Sequence, residues 1–150
     1  MARECGECSL CCKVPSVDEL KKPMGRWCEH ARIGKGCAIY ADRPPSCRSF
    51  QCMWLMGWGE DRDRPDALKV VLQAEGDPKT TGPVVGVMES YPGSAKTGRA
   101  KRLLDAISLK LPTCSIPAGG GKRTLTIPKN YPADRVALLT AELRSINEGK

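Results

Sequence analysis

Four cysteines fall within eight positions near the start of the chain: Cys5, Cys8, Cys11 and Cys12, in "ECGECSLCCK". Thiols at Cys-x2-Cys spacing suit metal chelation. A tight loop lets two such side chains converge on one ion while spare backbone N–H groups point at sulfur. Zinc sites use this spacing, and so do the Cys-x2-Cys-x2-Cys loops of bacterial ferredoxins. Cys28, Cys37, Cys47 and Cys52 then arrive singly. Eight thiolates suit two four-sulfur sites, or one multinuclear cluster with bridging sulfurs, and spacing alone does not divide them. The adjacent pair, Cys11 and Cys12, is expected to point in different directions, toward different metal atoms. His30, two residues after Cys28 and the only histidine, is an additional candidate ligand, with a surface or ligand-orienting role as the alternative.

Disulfides are the competing use of so many cysteines. No apolar run approaches the roughly 18 residues needed to span a bilayer. The N-terminal "MARECGEC" lacks the apolar h-region of a secretory signal. The expected compartment is therefore the cytoplasm, where thiols stay reduced, and that favours metal ligands. Cys114 stands apart from the other eight and reads as a small buried hydrophobe rather than a redox group.

The formal charge is +7. Residues 1–60 hold 9 Lys/Arg against 7 Asp/Glu, and residues 61–150 hold 15 against 10. Eight thiolates would add about −8, and two zinc ions or two oxidised four-iron clusters would leave the centre near about −4. The basic surplus is then explained in part by an anionic centre, without nucleic acid.

These thiols must be positioned by a segment with little regular structure. Residues 1–56 are broken by "KKPMG", "IGKGC" and "DRPPSC", so a metal nucleus is the natural folding core there. "DRDRPD", 61–66, reads as a linker. Beyond it, 67–74 and 82–90 read as a strand pair with clustered Val. Residues 96–111 place Leu103, Leu104, Ile107 and Leu111 on one helical face, ended by Pro112. A hairpin over 114–128 turns at "AGGGK". A last helix over 132–147 carries Val136, Leu139, Leu143 and Ile146. The expected fold class is α+β. An irregular, metal-nucleated Cys-rich module (1–60) is joined to a small antiparallel sheet with two helices on one face, in the order β-β-α-β-β-α (61–150). The two parts are expected to pack as one unit.

"CGECSLCC", "WCEH" and "GCAIYADRPPSCRSFQC" together resemble the YkgJ-type cysteine-cluster family, the CxxCxxCC or zinc- or iron-chelating domain. The matching positions run from Cys5 to Cys52. They comprise the eight clustered cysteines with His30, Gly36, Ile39, Tyr40, Arg43, Pro44, Arg48 and Phe50. The resemblance covers about a third of the chain and leaves 61–150 outside it. It implies metal chelation, by zinc or by an iron–sulfur cluster, and a similarity to a segment of bacterial flagellin-lysine methylases. Independently of the family, Arg43 and Arg48 flank Cys47 and are placed to offset thiolate charge, with solvated surface arginines as the alternative. Tyr40 and Phe50 read as rings that exclude water from the site. "CMWLMGW", 52–58, reads as core before partner patch.

Other chemistries find less support. "GSAKTGRAKR" lacks the Lys and hydroxyl of a phosphate loop. A single histidine leaves few nucleophile–base arrangements, so the sequence assigns no catalytic residue and leaves enzyme status open. Lys96, Arg99, Lys101 and Arg102 read as a solvated helix face before an acidic or nucleic-acid contact. The expected function is metal binding through the eight cysteines, in metal handling or as a structural or accessory module. The alternatives are an iron–sulfur redox or enzyme-accessory protein and a zinc-supported nucleic-acid or protein adaptor. Metal ions are the expected partners and a protein partner is compatible. Nucleic acid is the least favoured, and no membrane is expected.

Overall fold

Proline and glycine divide the first sixty residues into pieces too short to bury much apolar surface. The computed structural model describes residues 3–149. Its first third holds three-residue 3-10 turns at Leu10–Cys12, Asp18–Leu20 and Tyr40–Asp42. It also holds a two-residue hairpin, β1 (Ala31–Arg32) with β2 (Gly36–Cys37), and one short helix, α1 (Pro45–Ser49). Pro45 opens α1, where a missing N–H costs nothing.

The remainder is regular. After α2 (Pro65–Leu68) come β3 (Val70–Glu75), β4 (Val84–Glu89), α3 (Gly98–Ser108), β5 (Thr113–Ile116), β6 (Thr124–Thr126) and α4 (Ala133–Asn147). The α+β class and the order β-β-α-β-β-α agree with expectation, but the sheet is mixed rather than antiparallel. Strands lie in the order β3-β4-β5-β6, with β3/β4 and β5/β6 antiparallel and β4/β5 parallel. The reason is α3: a helix between two neighbouring strands carries the chain back to the starting edge, so the second strand runs parallel to the first.

The two long helices also lie on opposite faces, not one. Val85 and Val87 of β4 join Val70, Leu72 and Ile107 in a cluster against α3. Val84, on the alternate side, meets Cys114 and Leu139 of α4. A strand reading "VVGVME" is apolar on both sides and needs cover on both. Farther along the α4 face, Val71, Met88 and Ile116 are covered by Leu10, Val14 and Cys52. One sheet face is thus shared between α4 and the Cys-rich segment.

Residues 61–66 are not a linker. Asp61–Asp63 form a 3-10 turn, and Asp63, 3% exposed, receives Arg99 Nε and Nη2 at 2.7 and 3.0 Å. That pair fastens the turn to α3. It holds the Asp63 carboxyl below the usual carboxylate range, chiefly through the Arg99 hydrogen bonds. "CMWLMGW" splits: Cys52 and Met53 are buried, while Met56 and Trp58 are exposed. Among the described residues, no helix is long and apolar enough to cross a membrane.

The Cys-rich segment also meets the β5–β6 loop backbone to backbone. A Cβ on Gly25 would stand 2.7 Å from the Cα of Gly119, and Gly25 has φ +82°. Gly25→Ala should therefore cost about 1–3 kcal/mol through strain and displacement of the loop. Gly34→Ala is the control, because Gly34 shares the left-handed φ but has nothing within 4 Å. Equal urea midpoints for the two variants would show that the 25/119 contact contributes nothing.

Candidate metal centre

The first four cysteines are presented by a loop that hydrogen bonds close on itself. Cys8 N–H donates to Cys5 C=O at 2.9 Å, and Cys12 N–H donates to Ser9 C=O at 2.9 Å. Leu10 and Val14 anchor the loop in the sheet's apolar cluster. Ser9, buried between Cys8 and Leu10, accepts the Gly34 N–H at 3.1 Å and so pins the β1–β2 turn beside the loop. Cys28 N–H donates to Cys12 C=O at 2.8 Å, and the hairpin returns Cys37 opposite Ala31. Cys47 sits in α1, whose first turn is tied back by Glu19. Its carboxylate accepts the Ser46 hydroxyl at 2.6 Å and the Ser46 N–H at 3.2 Å. Cys52 is buried, and Met53 N–H next to it donates to Leu72 C=O of β3 at 2.8 Å.

The outcome is one cavity of about 890 Å³ whose wall carries all eight clustered cysteines. Cys114 is elsewhere, buried with Val84 and Leu139. His30 is not on the wall. Its ring lies 3.5 Å from the Glu29 carboxylate, and its backbone N–H points at Cys28 Sγ at 3.4 Å. No three Cys, His, Asp or Glu side chains among the described residues converge closely enough to hold one ion. The thiols surround a space rather than a point.

The wall is cationic. Arg3, Lys22, Lys35, Arg43 and Arg48 line it, against Glu4 alone among acidic residues. Arg43 stacks over Tyr40 with its Cζ 3.9 Å from the ring centroid and donates to Tyr40 C=O at 2.9 Å. Arg48 donates to Ala41 C=O at 2.9 Å. Arg3, over the Trp54 ring, donates to the carbonyls of Trp54, Trp58 and Gly59 and braces the turn after Cys52. Phe50 is half-buried on the wall, whereas Tyr40 is exposed at its mouth.

Burial dominates the thiol electrostatics. It pushes Cys5, Cys8 and Cys47 up, with neighbouring thiolates adding to the rise for Cys5 and Cys47. The backbone N–H groups of Leu10 and Asp66 oppose that trend at Cys8. Cys11 and Cys12 behave differently. Each is the first influence on the other: hydrogen bonding between their side chains raises Cys11 and lowers Cys12. Neighbouring Cα atoms about 3.8 Å apart leave two short side chains within reach of each other. The Cys11 S–H bond, helped by Lys22 and Arg43 against burial, brings the Cys12 thiol down to about 7. Cys11, as donor and buried, goes far up.

Chemically the donor set fits a thiophilic metal or metal–sulfur body: eight thiols, amide donors to sulfur and compensating cations, with one carboxylate. Lys22 is the residue that sequence reasoning missed. It is 7% exposed, and Nζ donates to the carbonyls of Lys13, Pro15 and Pro23. Nothing in "LKKP" separates it from exposed Lys21, because lysine is ordinarily a surface residue. Comparison with protein-family descriptions, curated proteins and solved structures returns no match for this chain.

Proposed function

We propose that the chain is a metal-binding cysteine-cluster protein of the YkgJ type, holding zinc or iron through Cys5, Cys8, Cys11, Cys12, Cys28, Cys37, Cys47 and Cys52, in the cytoplasm. The observation that carries this reading is the gathering of all eight on one cavity wall, from five separate pieces of chain, while Cys114 is left out. Lys22 and Arg43 suit an anionic thiolate centre, since each pulls at least one wall thiol toward its charged form. The role that follows is metal handling or a structural or accessory module.

Iron–sulfur redox work is the second reading, and cavity size favours it. Four thiolates around one zinc at about 2.3 Å stand only about 3.8 Å apart. A cavity of about 890 Å³ whose lining includes eight cysteines has room for a larger body. The nucleic-acid adaptor reading loses ground because Arg99 and Lys101 are engaged within the protein, by Asp63 and Asp105.

Elemental analysis and an absorption spectrum of protein purified without air test the proposal. Stoichiometric iron with a brown colour bleached by reductant supports the iron–sulfur form, and colourless protein with stoichiometric zinc supports the other. Freshly purified protein carrying neither metal would sink both.

A further inference from the structure

The rim of the cavity carries positive charge that the protein's own carboxylates do not pair. We propose that this rim is an oxyanion subsite, in which Arg43 and Arg48 hold the phosphate or carboxylate group of a small organic molecule whose body lies in the cavity. The subsite goes beyond the metal-binding reading and does not depend on it.

Two guanidinium groups held by backbone carry the inference. Residues Tyr40–Asp42 form a 3-10 turn, and the carbonyls of a helical turn point toward its C-terminal end. Arg43 Nε–H donates to Tyr40 C=O, and Arg48 Nη2 donates to Ala41 C=O, each at 2.9 Å. Both heads are thus fixed to carbonyls of neighbouring residues on one turn. Arg43 is held further by its stacking on the Tyr40 ring, with Cζ 3.9 Å from the centroid. Capping the turn accounts for one hydrogen bond from each arginine, but not for the place of both on the cavity lining. The remaining N–H groups of each head keep the planar fork that matches a carboxylate or a phosphate. Side chains held in place beforehand lower the ordering cost of binding.

Around the neighbouring Asp61–Asp63 turn, charge is balanced locally. Arg62, Arg64 and Arg99 meet the carboxylates of Glu60, Asp66 and Asp63, each at 2.7 Å. At the cavity rim that balance is missing. Among the described residues no carboxylate pairs with Arg43, Arg48 or Lys35. Asp42 lies between the two arginines in the chain but off the cavity lining, and the Glu19 carboxylate is taken by Ser46. Lys35, exposed on the β1–β2 turn, stands on the same lining and adds a third positive charge to the approach. Arg48 is itself exposed, so an anion reaches it from solvent.

Size points to an organic ligand rather than a bare ion. A cavity of about 890 Å³ lies toward the upper end of the range of about 300–1,000 Å³ that holds small organic molecules. Its lining also includes apolar Val17, Leu20, Ile39, Phe50 and Leu55. Apolar walls with a few fixed polar groups are what such ligands require.

Titration calorimetry tests the subsite on the whole chain, purified without air into chloride buffer, with inorganic phosphate, phenyl phosphate and benzoate as probes. Phenyl phosphate should bind saturably and at least about tenfold tighter than inorganic phosphate, because its ring adds buried apolar surface. Phenyl phosphate tighter than benzoate assigns a phosphate ester, and the reverse assigns a carboxylate. Arg48→Gln changes an exposed side chain and should weaken the better probe at least about tenfold. Arg48→Lys should recover only part of that loss, since an ammonium lacks the fork. Arg62→Gln, an exposed arginine paired with Glu60, should bind as the parent does. Equal affinity of the parent and Arg48→Gln would overturn the subsite, as would no saturable binding of any probe up to about 10 mM. Inorganic phosphate binding as tightly as phenyl phosphate would overturn the organic body. Binding of polyglutamate by a chain that takes none of the small probes would also overturn the proposal, in favour of an acidic protein surface. Zinc and iron are measured on the same sample. A metal-free parent that binds phenyl phosphate therefore sinks only the metal reading, and a loaded parent that binds no probe sinks only the subsite.

Discussion

Removing metal from the loaded protein with a strong chelator should unfold residues 3–60 and leave the four-stranded sheet with α3 in place. Among its described residues the first third has no element longer than the five residues of α1, and its few buried apolar side chains include Leu10, Val14, Val17 and Met53. Such a segment offers little to offset a backbone ordering cost of about 1–2 kcal/mol per residue. A structural metal site contributes about 10–16 kcal/mol, as much as the whole stability of an ordinary domain at about 5–15 kcal/mol. The sheet, by contrast, keeps Val70, Leu72, Val85, Val87 and Ile107 packed on its α3 face without help from any cysteine. All three tryptophans, Trp27, Trp54 and Trp58, lie in the first sixty residues. Trp54 is half-buried under Arg3 with its Nε1–H on Glu60 C=O at 3.0 Å. Tryptophan emission thus reports on the Cys-rich segment and, through Trp54 and Trp58, on its contact with β3 and α3. Chelation should red-shift it and bare Val71, Met88 and Ile116 to a hydrophobic dye, while amide protection in β3–β5 persists. Unchanged Trp54 emission after complete metal loss would show that the segment folds on apolar contacts alone.

How much of this could be read in advance depends on range along the chain. Leu103, Leu104, Ile107 and Leu111 mark α3 by their own spacing, and Thr124–Thr126 paired with Thr113–Ile116 is a hairpin closed by a nearby glycine run. The β4–β5 pairing is different in kind. Val85 sits opposite Thr113 only because a whole helix intervenes, and no local pattern carries that. One signal was present: the unbroken "VVGVM" run is what a strand covered on both faces looks like. Gly86 in that run also has a reason visible only in three dimensions, since a Cβ there would lie 2.6 Å from the Glu75 carboxylate. For the site, Cys-x2-Cys spacing predicted convergence on an ion; the cavity gathers those cysteines on one wall, but no three donors among the described residues stand close enough to hold one ion. Lys22 was hidden for a different reason: its burial depends on three carbonyls from residues 13, 15 and 23 folding around one ammonium.

That ammonium carries the second large expectation: Lys22→Met should destabilise the protein by about 3–5 kcal/mol and weaken its hold on metal. No carboxylate among the described residues pairs with Lys22, so burial pulls it below the usual lysine value, and the opposing charges are the thiolates of Cys28, Cys12, Cys47 and Cys11. A lysine whose folded value is lowered is charged at some cost. That cost is present below its unfolded value and vanishes as the ammonium deprotonates. Methionine removes the cost, but it also takes the ammonium donor from three part-buried carbonyls, those of Lys13, Pro15 and Pro23, each worth about 1–3 kcal/mol where it is left unsatisfied. The second term is the larger, so the sign is destabilising. The electrostatic loss is separable from it. One unit charge acting on the cavity is worth on the order of 1–2 kcal/mol at an effective dielectric near 20, so metal affinity at fixed pH should fall about tenfold. Because metal displaces protons from thiols, and thiols without Lys22 keep their protons to higher pH, the pH midpoint of metal binding should move upward. Lys22→Arg keeps the charge but cannot place one compact donor head among three carbonyls. It should lose stability yet retain the parent's pH midpoint. If Lys22→Met and Lys22→Arg shift that midpoint equally, the ammonium acts as a loop fastener only, and the thiolates are balanced by Arg43 and the rest of the cavity wall.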